Sequence, residues 1–201
     1  MALSRRRILG RQGGGVTLQT IITGRGGQGA QLAGNLLAMA FFAEGREVQC
    51  FATYGGARRG TPVSSFIRVD DRPIRVRCDI EAADALLCFD ASLLAGRFLA
   101  TARPGALVVV NSSRSPGEYA AELPGYRVLP VDGLAIAQRN GLGRIVNSAL
   151  LGAFARALEA PALDTLCRVI AEAAPKSGKE NAQACVDGYR AVGEQMQRVA
   201  A

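Results

Sequence analysis

An α/β fold is predicted: an open, mostly parallel sheet with an inserted β-hairpin and a C-terminal helical segment. Three observations predict it. A β-prone apolar run, Val16 to Thr23, meets a glycine-rich turn and then a helical pattern. Short runs of buried-strand character recur at Ala85 to Phe89, Ala106 to Val110 and Arg127 to Val131, with other segments between them. From Asn147 onward the patterns are helical only.

The turn Gly24-Arg25-Gly26-Gly27-Gln28-Gly29 has the spacing G-x-G-x-x-G at a strand-to-helix junction, which makes the fold Rossmann-like. In such a turn the first glycine permits the bend. The second lets a ligand approach the backbone, and the third lets helix and strand pack closely. Amides at the helix start would face an anion held there. The same glycines also suit a tight turn that holds nothing. The helix is expected to run to about Glu44, with Gly45 as its stop and Leu32, Leu36, Met39, Ala40 and Ala43 on one face.

A second strand, Val48 to Ala52, follows. A dinucleotide-binding unit would end it in Asp or Glu to hold the ribose hydroxyls. Here it runs into Thr53-Tyr54-Gly55-Gly56-Ala57-Arg58-Arg59-Gly60-Thr61-Pro62, with paired arginines and no carboxylate. That argues against NAD and leaves NADP a weak case. Val63 to Val69 and Ile74 to Arg77, around Asp70-Asp71-Arg72-Pro73, read as the inserted hairpin. The strand Ala85 to Phe89 ends at Asp90, and Ala106 to Val110 ends at Asn111. Both ends fall on the carboxyl edge of a parallel sheet, as ligand contacts or as helix caps. Ser92 to Thr101 reads as a short helix, Pro104-Gly105 as a turn, and 112–125 as a loop with about one helical turn. Asp132 caps a helix over Leu134 to Arg139, and Asn140 to Gly143 breaks it. Asn147 to Leu158, Leu163 to Ala173 and Glu180 to Val199 complete the helices.

Composition narrows the chemistry. The chain has 201 residues, enough for one domain, 16–201, behind a flexible basic arm, 1–15. Net charge is +7, and Arg5, Arg6, Arg7 and Arg11 of the arm supply four of those charges. No nucleic-acid motif or aromatic interleaving accompanies them, so anionic small molecules or an acidic partner fit better than nucleic acid. Ser4 to Gly10 has the outline of a twin-arginine export signal, but no long apolar segment follows it. No run approaches the ~20 apolar residues of a membrane span, so the cytoplasm is expected. Histidine is absent, which removes the usual general base. The five cysteines, Cys50, Cys78, Cys88, Cys167 and Cys185, form no C-x-x-C pair, so no metal site is expected on this chain. They read as reduced, mostly buried thiols.

Several stretches together resemble a known family. They are Gly24 to Gly29, Tyr54-Gly55-Gly56-Ala57-Arg58-Arg59-Gly60-Thr61-Pro62-Val63, Asp90 after a strand, Asn147-Ser148-Ala149-Leu150-Leu151-Gly152, and Lys179 to Ala184 with Gly188-Tyr189. In this order they resemble the gamma subunit, or gamma domain, of the 2-oxoacid:acceptor oxidoreductases, over about residues 17–192. Gly56-Ala57 and Thr61 depart from the usual family pattern.

The resemblance implies a subunit of an enzyme that oxidatively decarboxylates a 2-oxoacid to its acyl-CoA. The oxoacid would be pyruvate-like, an arylpyruvate or phenylglyoxylate-like. Thiamine diphosphate with magnesium and 4Fe–4S clusters would sit on alpha, beta and ferredoxin-like delta subunits, which pass electrons to ferredoxin or another acceptor. This chain would carry no catalytic residue. It would aid assembly and site closure and help to bind CoA. Candidate contacts are Gly24, Arg25, Gly26, Gly27, Gln28, Gly29, Tyr54, Arg58, Arg59 and Gly60. Two other readings stand beside this one: a purely structural subunit with its arginines paired to partner carboxylates, and a free-standing NADP-binding reductase.

Overall fold

The structure, a computed structural model, describes residues 17–55, 60–94, 97–174 and 176–200. The expected arm lies outside them, as do Arg58 and Arg59. The strands are β1 (Leu18–Arg25), β2 (Glu47–Tyr54), β3 (Pro62–Asp70), β4 (Ala83–Cys88), β5 (Ala102–Asn111) and β6 (Arg127–Val131). The helices are α1 (Ala30–Ala43), α2 (Arg97–Ala100), α3 (Pro116–Glu122), α4 (Gly133–Arg139), α5 (Asn147–Leu158), α6 (Leu163–Ala173) and α7 (Gly178–Ala200), with a 3₁₀ turn at Ala91–Leu93.

The strands form one sheet in the order β2-β3-β1-β4-β5-β6. Pairings β1–β4, β4–β5 and β5–β6 are parallel, while β3 runs antiparallel to both β1 and β2. Strand side chains alternate between faces. Leu107 and Val109 therefore join a core with Leu87, Phe41 and Phe154, and Val108 and Val110 join another with Leu86, Ile21 and Tyr119. Burial on both faces explains the unbroken apolar runs of β4 and β5.

The inserted hairpin is present, but its arms are β2 and β3 rather than β3 and Ile74 to Arg77. Both edges of β3 are already hydrogen-bonded, so no edge is left for a further strand. Asp70 also stops β3, because its carboxylate accepts the Asp71 and Arg72 amides at 2.7 and 3.1 Å. Residues 74–77 run on without strand pairing, held in part by Gln49 Nε2 donating to Val76 O at 2.7 Å.

Three helical expectations also differ from the structure. α1 buries Ala33, Leu36, Leu37, Ala40 and Phe41, while Leu32, Met39 and Ala43 face outward. Its sequence is apolar nearly all round, so periodicity cannot set its phase. Close approach to the sheet does: a Cβ on Gly34 would meet Ser65 Cβ at 2.6 Å. Within 112–125, α3 runs for seven residues from a capping box in which Ser115 and Glu118 bond reciprocally. The expected helix at Ser92 to Thr101 is the 3₁₀ turn and α2, with 95 and 96 outside the described residues. At Pro104-Gly105 the chain stays within β5, at a register irregularity between β4 and β5.

Helices α5 and α7 cross at backbone contact. A Cβ on Gly152 would lie 1.9 Å from Cys185 O, and one on Gly188 would lie 1.9 Å from Ala149 O. Beside this crossing the buried Ser148 Oγ donates to Asn181 Oδ1 at 2.7 Å. Neither glycine can accept a methyl unless the helices separate. Gly152→Ala and Gly188→Ala should each cost roughly 1–3 kcal/mol or more through overpacking. Thermal denaturation should show this as a fall of roughly 2–4 °C per kcal/mol. Unchanged midpoints would mean that the crossing yields freely.

Candidate functional site

The parallel strands end on one edge of the sheet, and the glycine turn lies there between β1 and α1. Gly24 belongs to β1, and a Cβ on it would press on Phe89 Cβ at 3.1 Å. Gln28 folds back, its Oε1 accepting the Arg25 amide at 2.7 Å. Gly26 N–H donates to Thr61 O at 2.9 Å. Gly29 sits at φ +88°, and a Cβ there would fall 2.2 Å from Asn147 Nδ2, which donates to Gly29 O at 3.3 Å. Another chain segment therefore passes close to the turn at two points.

Arg25 is turned toward protein. Its Nε pairs with Asp90 Oδ2 at 2.7 Å, Nη2 donates to Ser92 Oγ at 2.8 Å, and Nη1 donates to Gly60 O at 3.2 Å. One side chain so joins β1, the turn after β4 and the hairpin loop. Asp90 also caps the 3₁₀ turn through the Ser92 amide at 3.0 Å. Burial pushes the Asp90 carboxyl up, but the hydrogen bonds from Ser92 and Arg25 together outweigh it and hold it below its ordinary value. Asn111 bridges two strand ends, donating to Phe89 O at 3.2 Å and accepting the Gly133 amide at 3.0 Å. Asp132 caps α4 through the Ala135 amide at 2.9 Å. Tyr54 is exposed, with its hydroxyl on Gln31 Oε1 at 2.6 Å.

Beside the turn opens a cleft of about 510 Å³. Gly27, Gln28 and Gly29 form one wall, and Arg144, Ile145, Val146 and Asn147 form the other. The first turns of α1 and α5 both border it. Neither has a side-chain cap, so their leading amides remain available as donors. A Cβ at Gly27 would meet nothing within 4 Å. Leu32, Leu134 and Ile145 give the rim an apolar part. The exposed Arg144 guanidinium has no hydrogen-bond or ion-pair partner among the described residues. This arrangement suits an anionic group attached to a partly apolar body.

Sequence reasoning located the glycine wall and missed the other. Arg144 lies between Gly143 and a helix start, and that juxtaposition was the available signal. Cys88 is buried as expected, Cys50 is half-buried, and Cys78 is exposed rather than buried. Among the described residues no group of three or more His, Cys, Asp and Glu is placed to hold a metal. No described helix is long and apolar enough to cross a membrane.

The Arg25–Asp90 latch generates a prediction with a sign. A carboxyl held below its unfolded pKa contributes stability above that value, and loses it as pH falls through the folded one. Arg25 is 41% exposed, so solvent screening keeps the pair to about 1 kcal/mol or less. Arg25→Gln should lower the melting temperature slightly at neutral pH, and its gap to wild type should narrow as acid protonates Asp90. A gap that stays constant on acidification would show that the pair does not titrate with folding.

Known proteins resemble this chain in sequence and in fold. The family model for pyruvate ferredoxin/flavodoxin oxidoreductase matches residues 19–191. The pyruvate/ketoisovalerate oxidoreductases common subunit gamma of Thermococcus kodakarensis is 39% identical over 171 residues, covering 83% of this chain and 92% of that one. Pyruvate synthase subunit PorC of Methanothermobacter thermautotrophicus is 36% identical over 172 residues, 84% and 92% of the two chains. The crystal structure of pyruvate oxidoreductase subunit PORC from Thermotoga maritima superposes with a TM-score of 0.75 at 26% identity, over 87% of this chain and 96% of that one. Matched along nearly its whole described length in sequence and in fold, the chain belongs to the pyruvate ferredoxin/flavodoxin oxidoreductase family, as a gamma subunit.

Proposed function

We propose that this gamma subunit contributes a CoA-binding wall to a cytoplasmic 2-oxoacid:acceptor oxidoreductase and helps to assemble that complex. The observation that carries the reading is the cleft between the first turns of α1 and α5, with Arg144, which has no partner among the described residues, on its lip. CoA has a 3′-phosphate, a pyrophosphate and a long, partly apolar arm. Helix-start amides and a guanidinium are the donors that phosphate groups take. Leu32, Leu134 and Ile145 supply apolar surface beside them.

The hairpin loop supports the same reading from the other side. Contacts at Gly60 and Thr61 moor the start of β3 next to the glycine turn. Arg59, which precedes Gly60, is the preferred second phosphate contact. Gly24, Arg25, Gly26, Gln28 and Tyr54 then act by holding the wall in place, and Gly27, Gly29 and Gly60 by giving a ligand close access.

Thiamine diphosphate with magnesium and 4Fe–4S clusters are assigned to alpha, beta and delta subunits, where they supply decarboxylation and electron transfer to ferredoxin or another acceptor. Assembly is assigned to the outer stripe of α1, where Leu32, Met39 and Phe42 are exposed by half or more. The basic segment 1–15 is assigned to an acidic surface on a partner, ahead of a single domain over 16–201. A free-standing NADP reductase is disfavoured by topology. β3 occupies the place beside β1 where a dinucleotide fold puts its second parallel strand, and it runs the other way.

Steady-state kinetics of the intact complex tests the CoA wall. Arg144→Ala and Arg59→Ala should each raise the KM for CoA and leave that for the oxoacid nearly unchanged. A lost charge-assisted contact is worth roughly 1.5–3 kcal/mol, or about 10–150-fold. Variants that dissociate the complex, with unaltered CoA dependence in whatever remains assembled, would replace this reading with the purely structural one.

A further inference from the structure

We propose that Arg72, Arg75 and Arg77, in the segment between β3 and β4, form a docking strip for the acidic face of a soluble electron-carrier protein. The carrier is the protein acceptor that the function proposed above requires, so this docking site rests on that reading. All three side chains are exposed, and none has a hydrogen-bond or ion-pair partner among the described residues. Val76, between two of them, is also exposed.

The backbone of the strip is pinned to the sheet along its length. At its start the Asp70 carboxylate accepts the Asp71 and Arg72 amides. Gln49 Nε2 donates to Val76 O at 2.7 Å. Arg68 Nη2 donates to Asp79 O at 3.1 Å and lies 3.8 Å from Cys78 Sγ. Ile80 then enters the core with Ile21 and Phe66. The anchors form one row across three strands, because Arg68 of β3 lies opposite both Gln49 of β2 and Gln19 of β1. Side chains carried on a fixed backbone leave less freedom to be lost on docking.

The same row adds charge from beneath. Arg68 is only 3% exposed. Its Nε donates to Gln19 Oε1 at 3.1 Å and its Nη1 to Gln49 Oε1 at 2.8 Å. Its partners are amide and carbonyl oxygens and a thiol sulfur, and among the described residues it has no carboxylate. A buried charge is screened less than an exposed one, so Arg68 strengthens the positive potential under the strip. The carboxylates nearby are engaged or lie beyond it. Asp71 pairs with Arg46 at 3.0 Å, Asp84 pairs with Arg103, and Asp70 bonds Thr17 and two amides. Asp79 and Glu81 mark the far end of the strip. Three arginines around one valine do not make the centre of a permanent subunit interface, where charged residues are depleted. They suit a transient partner that opposite charge steers in and guanidinium–carboxylate pairs then orient. The strip positions the carrier, and the electrons reach it from the cofactor-bearing subunits.

The intact complex is assayed with a 2-oxoacid and CoA, once with ferredoxin as acceptor and once with methyl viologen, a small molecule that needs no docking surface. Combining Arg72→Gln, Arg75→Gln and Arg77→Gln should raise the KM for ferredoxin about tenfold or more. The dependence of that KM on ionic strength should flatten, because the screened charges are gone. The viologen-linked kcat and the KM for CoA should keep their wild-type values. Arg75→Glu should weaken ferredoxin more than Arg75→Gln does. Arg168→Gln, on α6 against the other face of the sheet, should change none of these. An unaltered ferredoxin KM and salt dependence overturns the proposal. So does a triple variant that loses viologen activity or a subunit, which would make the strip a contact within the complex. Viologen reduction by the wild-type complex reports separately on the reading beneath. If it needs neither oxoacid nor CoA, that reading and the docking strip fall together; if it needs both, the ferredoxin dependence alone decides.

Discussion

The antiparallel seat of β3 between β1 and β2 governs the rest of the molecule. It uses both edges of β3, so the second strand of the chain is displaced to the edge of the sheet. Register then carries the hairpin to the functional edge. Leu18 lies opposite Val69 at one end of the β1–β3 pair, and Arg25 lies opposite Pro62 at the other. The hairpin loop therefore emerges at the carboxyl end of β1, next to the glycine turn. In a plain doubly wound sheet that side of the turn would be bordered by a parallel strand and its ribose-binding carboxylate. Here the antiparallel β3 takes its place and brings Gly60 and Thr61 against the turn.

Two arginines divide the electrostatic work of this edge. Arg25 uses its donors on Asp90, Ser92 and Gly60, so its charge is matched within the protein and its role is to lock three segments together. Arg144 stands exposed on the cleft with no described partner. A site for an anion needs both kinds. Without the first, the wall would shift as the ligand arrives, and ordering it would subtract from affinity. Without the second, the cleft would offer only helix-start amides.

Much of this was legible in the chain. β1, the glycine turn and α1 follow from spacing, β4 and β5 from unbroken apolar runs, and α4 from Asp132 as its cap. The start of α3 was equally legible, since Ser115 and Glu118 form a capping-box pattern, but proline and glycine between them suggest a loop. The second hairpin arm was not legible. Ile74 to Arg77 has a strand's composition, and only the tertiary fact that β3 has no free edge excludes it. The phase of α1 was hidden because the helix is apolar on every side, and small residues at Ala33 and Gly34 decide which side meets the sheet. The glycine wall of the cleft was visible as a motif. Its opposite wall comes from 144–147, more than a hundred residues away, and no local signal links the two.

The distant motifs behind the family resemblance have one physical connection. Asn147 opens α5 and donates to Gly29 O in the glycine turn. The next residue, Ser148, bonds Asn181 of α7, and Asn181 in turn donates to Ser177 O at 2.9 Å, just before that helix starts. Gly152 and Gly188 then let α5 and α7 close to backbone contact. The C-terminal helices thus brace the turn from behind. The position of the cleft wall is set by a helix whose own position depends on two missing Cβ atoms at its crossing. Small residues far from any ligand, at 149, 152 and 188, are as necessary to the geometry of the turn as the glycines within it. In the proposed reading the chain serves as a binding wall without a histidine by placing backbone and side-chain donors, and that placement is held by backbone contact.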